Sequence, residues 1–284
     1  MAIARQGCTM ILGNGAKRRG GAAHPWRYFA LVLLLSIPFY WGVNSPVQGF
    51  PFYGWPAAIA IILVPAAVAT VLTAREQGHR AALRLWGRIG DIRRIRGARW
   101  LLFALLFPAA ATLISYGVVR YFHLPLPDVA TFSPAAAPGL FATFFVGAIP
   151  EEIGWTGYAT EPLQKRYGVL GAGLIIGVVW ALWHIAMWWI GKGGWEGQNH
   201  ALAVAGQAAS VVLLRVVMGW VYANGGRSVF LAIVLHAMDN TCWKLFPNNR
   251  SHYNPTATAI VLGFITLALS VSVKAQRLSA KSRD

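Results

Sequence analysis

The stretch Gly139 to Ile149 is apolar apart from Thr143, and it runs straight into Pro150-Glu151-Glu152-Ile153-Gly154-Trp155. A carboxylate inside a membrane helix costs about 2.5–3.5 kcal/mol on insertion scales, so two adjacent ones need partners or a task. Working outward, apolar stretches of about 17–25 residues are each long enough to cross a bilayer. Eight stand in the sequence: Trp26–Val43, Trp55–Ala74, Trp100–Val119, Gly139–Gln164, Gly168–Ile190, Ala201–Tyr222, Ser228–Phe246 and Thr256–Val273. The fold class expected is all-α, a polytopic bundle of about eight transmembrane helices. The expected organisation is a basic tail over 1–25, one helical domain over 26–273 and a second basic tail over 274–284.

Composition agrees with a membrane setting. Of 284 residues 56% are hydrophobic and only 12% are charged, against about 25% charged in ordinary soluble domains. The net charge of +16 would point to nucleic acid in a soluble protein, but here the cations lie in tails and connections. That placement is what membrane orientation demands, and no nucleic-acid partner is expected. Arg5, Lys17, Arg18, Arg19 and Arg27 precede or open the first run, and the connection Arg75 to Arg99 holds eight arginines against Glu76 and Asp91. Lys165, Arg166 and Arg227 follow later runs, and Lys274, Arg277, Lys281 and Arg283 follow the last. Lysine and arginine mark the cytoplasmic side, so both termini are expected there, in the plasma membrane of a bacterium. Lys244 and Arg250 run against this count.

The Arg75–Arg99 connection also carries Leu83, Leu85, Trp86, Ile89, Ile92 and Ile95, which suits a helix lying in the inner headgroup layer as an anionic-lipid anchor. The Gly-, Lys- and Arg-rich stretch Gly13 to Gly21 lacks the Gly-Lys-Ser/Thr ending of a phosphate loop and reads as a tail. The leader before the first run is long and no small-x-small cleavage site follows it, so a retained span is expected. Cys8 and Cys242 fall on opposite sides, so no disulfide is expected between them.

Polar groups inside the spans supply partners for the two glutamates. Trp180 and His184 stand four apart in the fifth run, as do His236 and Asn240 in the seventh, so each pair shares a helical face. With a turn near Arg166, Glu151 lies 15 residues before it and His184 lies 18 after. At about 1.5 Å per residue the two sit within about 5 Å of the same depth. A kink at Pro150 would help His236 reach the same level. A lone intramembrane His or Asn often only bonds a neighbouring helix. Two glutamates, two histidines and an asparagine in three spans at matching depth point to a shared site instead. Trp155, Trp180, Trp183, Trp188 and Trp189 read as packing and interface aromatics.

These residues carry a resemblance. The chain resembles the CPBP family of intramembrane endopeptidases, which includes type II CAAX prenyl proteases and bacteriocin-immunity proteins. That family shows Glu-Glu-x-x-x-Arg, aromatic-x-x-x-His and His-x-x-x-Asn, which stand here as Glu151 to Thr156, Trp180 to His184 and His236 to Asn240. The resemblance covers about Ala135 to Lys244. It implies an intramembrane endopeptidase with Glu151, Glu152, His184, His236 and Asn240 as its catalytic set, acting on a membrane-embedded or membrane-associated peptide or protein, lipidated or not.

Thr156 departs from the pattern, for the family has arginine there. Glu152 is then short of one cation, and Arg215, mid-span in the sixth run, is too costly to keep unpaired. The two are expected to pair. In the implied mechanism Glu151 takes a proton from water, His184 holds that water, and His236 and Asn240 donate to the developing oxyanion. No cofactor is needed. The alternative is zinc bound by Glu151, His184 and His236 with an open fourth position. A catalytically impaired immunity or scaffold protein is a second alternative, which Thr156 favours. A proton-coupled transporter would use the same residue types but calls for paired repeats, and none is evident. Single cysteines introduced near Gly90 and near Ser282 are expected to label from the same side of the membrane; labelling from opposite sides would mean an odd number of spans.

Overall fold

The computed structural model describes residues 23–44, 55–124, 134–190, 198–245 and 253–281. Among the described residues the elements are helical and there is no strand. They are α1 (Pro25–Asn44), α2 (Trp55–Gln77), α3 (His79–Trp86) with a 3₁₀ stretch Gly87–Arg94, α4 (Ala98–Tyr121) and α5 (Ala137–Glu152). A π-helical stretch Ile153–Thr160 then leads into α6 (Glu161–Ile190), followed by α7 (His200–Asn224), α8 (Val229–Leu245) and α9 (Pro255–Lys281). Every apolar run of the sequence is helical where it is described. The expectations for Cys8, the first basic tail through Arg19, the loop after Asn44 and Arg250 lie outside the described residues.

Among the described residues four helical stretches are long and apolar enough to cross a membrane, and Pro255–Val271 is a shorter apolar helix. One of the four, Pro134–Trp189, contains two of the expected spans. The chain breaks at Gly168, with φ 72° and ψ 179°, a backbone region that only glycine enters without strain. Large apolar side chains face outward along the bundle: Leu34, Leu35 and Trp41 on α1, Leu106 and Leu113 on α4, Phe264 and Leu267 on α9. Soluble monomers rarely expose so many large apolar side chains, and with the long apolar helices these make the protein an integral membrane protein.

Neighbour relations close the spans into a ring in the order α1, α2, α5, α8, α4, α9, α7, α6 and back to α1. The π stretch lies within it, touching α1, α2, α6 and α8, and its Ile153, Trp155, Thr156, Tyr158, Ala159 and Thr160 are all buried. Thr160 donates its hydroxyl to the carbonyl of Trp155, five residues back, at 2.9 Å.

The most extensive helix pair is α6 with α7, and its closeness has a sequence cause. Gly173 and Gly177 stand four apart, and a Cβ on either would sit 2.7 or 2.8 Å from the Cα of Val216 or Val212. Small residues at this spacing let two helix backbones approach, the usual device between membrane helices. The same contact sets the height of Arg215, whose Cβ would lie 3.3 Å from a Cβ on Gly177.

The Arg75–Arg99 connection also braces the bundle. Leu83 and Ile92 are exposed while Ala81, Ala82 and Leu85 are buried, as an amphipathic surface helix requires. From the following 3₁₀ stretch, Asp91 accepts from the Ser228 hydroxyl at 2.6 Å and from the Val229 and Phe230 amides at 3.1 Å each. It thereby caps α8 from outside that helix. Arg88 donates to the carbonyls of Gly157 and Arg227 and to the Tyr222 hydroxyl, tying the π stretch to the α7–α8 turn.

Gly177→Val is expected to lower the thermal unfolding midpoint by an amount corresponding to about 1–3 kcal/mol, because the added atoms meet backbone that cannot rotate away. Gly147→Ala, where a Cβ meets nothing within 4 Å, should leave the midpoint within error; equal effects from the two would show that close approach of α6 and α7 is unimportant.

Candidate active site

Glu151 and Glu152 are the last residues of α5, immediately before the helix widens. Single π turns inside α-helices recur at functional sites because they rotate the following side chains out of α register. Both glutamates are buried, Glu152 completely, yet their surroundings differ.

Glu152 is fully engaged. Arg215 donates to it in a fork, Nη1 to Oε2 at 2.8 Å and Nη2 to Oε1 at 2.9 Å. Thr156 Oγ1 donates to Oε2, and His236 Nδ1 lies 2.9 Å from Oε1. Arg215 is 1% exposed and also reaches Thr156 Oγ1 at 3.3 Å. Thus the guanidinium missing at position 156 is supplied from α7, and the short threonine leaves the room it occupies. A two-bond fork is the geometry in which a buried guanidinium and carboxylate satisfy each other.

Glu151 is differently placed. Its Oε2 accepts from Trp180 Nε1 at 2.9 Å, and its Oε1 accepts no hydrogen bond from the described residues. Trp180 is the hub of the site: Arg215 lies over its ring at 4.2 Å, and the rings of His184 and His236 meet it edge-on at 5.3 and 5.1 Å. As the four-residue spacing of Trp180 and His184 requires, both face the site, and Trp180 joins it through its N–H as well as packing within it.

Both histidines are oriented through Nδ1. His184 Nδ1 lies 3.0 Å from the Trp180 carbonyl, an acceptor, so the Nδ1 hydrogen points there and Nε2 keeps its lone pair. His184 also stacks on Trp188, with centroids 5.1 Å apart and planes 8° from parallel. His236 spends its Nδ1 hydrogen on Glu152 in the same way. Asn240, half-buried one turn along α8, makes no hydrogen bond with the described residues. Glu151, Glu152, His236 and Arg215 are brought together around Trp180, and His184 joins them through that ring. Among the described residues no three His, Cys, Asp or Glu side chains are grouped to hold a metal ion.

Residues 132–242 match a family model described as Rce1-like, type II CAAX prenyl endopeptidase. All three motifs and Arg215 fall inside that span. The chain is also 25% identical, over 194 residues, to CAAX prenyl protease 2 of Methanococcus maripaludis, covering 63% of this chain and 68% of that one.

Arg215→Ala is expected to cost about 3–5 kcal/mol of stability, since it leaves Glu152 as a buried, uncompensated carboxylate. Glu152→Gln in the same protein, or Thr156→Arg to return a cation, should recover part of the loss in thermal unfolding. An unchanged midpoint in Arg215→Ala alone would show that the fork does not hold the helices.

Proposed function

We propose, from the premise that this chain belongs to the family of Rce1-like, type II CAAX prenyl endopeptidases, that it hydrolyses a peptide bond within the membrane with a water activated by Glu151. The protein is an intramembrane peptide-bond hydrolase by family, and the choice of base rests on one observation. Of two adjacent buried glutamates, Glu152 has both oxygens committed to Arg215, Thr156 and His236, while Glu151 has one oxygen held by Trp180 and the other unengaged by any of the described residues.

In this reading the Glu151 carboxylate takes a proton from a water positioned by His184 Nε2. The hydroxide attacks the scissile carbonyl carbon, and the oxygen of that carbonyl becomes an oxyanion. Asn240 donates to it from a neutral amide. His236 has used its Nδ1 hydrogen on Glu152, so it donates from Nε2 only in its doubly protonated form. Glu151 then passes its proton to the amide nitrogen as the carbon–nitrogen bond breaks, leaving a carboxylic acid and an amine, which exchange a proton on release, and returning the base to its starting state. Glu152 acts as a positioning residue that holds His236 and Arg215.

The substrate is a membrane-associated protein, and prenylated CAAX proteins are the class named for the relative above. We place the site's opening, both termini and the basic connection at the cytoplasmic face of a bacterial plasma membrane, from the distribution of lysine and arginine.

Glu151→Gln should abolish peptide hydrolysis by purified protein with an unfolding midpoint near that of the parent, whereas Asn240→Ala should lower kcat by about 10²–10³. Hydrolysis surviving Glu151→Gln would end the proposal. Active protein should carry far less than one equivalent of zinc and resist chelators; stoichiometric zinc whose removal stops the reaction would transfer the roles of Glu151, His184 and His236 to a metal site.

A further inference from the structure

A polar cavity of about 530 Å³ opens beside the π stretch at the end of the bundle that carries the Arg75–Arg99 connection. It is built from the end of α2, from α3 and the 3₁₀ stretch, and from the start of α6. Arg84, Arg88, Arg94 and Lys165 line it, with Glu161 as the one carboxylate. That carboxylate is already neutralised, by Lys165 at 2.9 Å and Arg227 at 3.2 Å. The guanidinium groups of Arg84 and Arg94 have no hydrogen-bond or ion-pair partner among the described residues. The cavity therefore presents uncompensated positive charge.

One buried polar atom strengthens the case: Thr73 Oγ1 belongs to a residue lining this cavity and has no hydrogen-bond partner among the described residues. Thr73 is 5% exposed. Elsewhere in the bundle, buried or half-buried hydroxyls such as Ser36, Thr70, Ser115 and Thr241 bond back to the carbonyl four residues earlier. Thr73 does not, nor does Thr266 on α9, and leaving a buried hydroxyl unmade costs about 1–3 kcal/mol unless a ligand completes it; of the two only Thr73 lines this cavity. The same short helix α3 that brings Arg84 to the cavity carries Leu83, 72% exposed, and Trp86, 37% exposed. These side chains belong at the boundary between headgroups and acyl chains, which sets the cavity at headgroup depth.

We propose that this cavity binds a phosphate-bearing anion, with the headgroup of an anionic phospholipid from the surrounding bilayer as its source. Arg84 and Arg94 supply the charge, Thr73 a hydroxyl donor, and Arg88 the link from the bound anion to the Gly157 carbonyl of the π stretch. The inference is independent of which glutamate acts as base.

The test uses the full chain purified in a neutral detergent and exposed to vesicles of phosphatidylglycerol or phosphatidylcholine, with retained lipid read by native mass spectrometry. Phosphatidylglycerol should be retained and phosphatidylcholine should not. Arg84→Gln with Arg94→Gln should reduce retention about tenfold or more, and Thr73→Val should weaken it several-fold without lowering the lipid-free unfolding midpoint. Arg80→Gln with Arg93→Gln, which removes two exposed cations outside the cavity, should change nothing. If inorganic phosphate alone displaces phosphatidylglycerol and raises the midpoint as much, the site stands and its source is the soluble anion. Equal loss from the two arginine pairs, or retention unaffected by Arg84→Gln with Arg94→Gln, would overturn it.

Discussion

Glu152 has no exposed surface, and a carboxylate removed from water remains an anion only where other groups replace the solvent it has lost. Four contacts do this, one from its own helix, two from a single guanidinium on α7 and one from an imidazole on α8. Because these come from three different helices, the ion cannot be satisfied unless all three are in register. Desolvating the pair is expensive, and the attraction offsets that cost only with good geometry. What the pair contributes is thus specificity of arrangement more than net stability, and the groups around Trp180 inherit that arrangement.

The remaining architecture serves to deliver those three helices. Gly173 and Gly177 bring α7 against α6 closely enough for Arg215 to reach across. Trp180 then fills the angle between the guanidinium and Glu151, with its ring face toward the cation and its N–H toward the carboxylate. Both contacts use the ring as its charge distribution prefers. On the far side, α8 carries His236 and takes its starting position from Asp91 in the interfacial connection. Site geometry and membrane-surface structure are therefore one mechanical system, joined through a cap that belongs to another segment.

Much of this was legible in the sequence, because the bilayer imposes strong rules on it. Apolar runs long enough to span gave the helices, and the rarity of charge inside them singled out Glu151, Glu152, His184, Arg215 and His236. Even the fork between Arg215 and Glu152 followed from cost, since each residue alone was too expensive to keep. Where the reading stopped was at relations that depend on helix rotation. The eight-residue π stretch has an ordinary apolar composition, so nothing in Ile153 to Thr160 announces a wider helix. Trp180 looks like any other membrane tryptophan until its rotation relative to Glu151 is known. Asp91, among so many arginines, reads as a diluted charge rather than as the cap of a helix more than a hundred residues later.

The position of Arg215 bears on how relatives of this chain are recognised. A string search that requires arginine four residues after the second glutamate rejects this sequence, although its folded site holds a guanidinium on that glutamate. Local patterns record which residue types sit near one another along the chain, while the chemistry needs only that they meet in space. Sequences set aside as defective for a missing letter should be searched again for a lone cation at mid-depth of the facing helix.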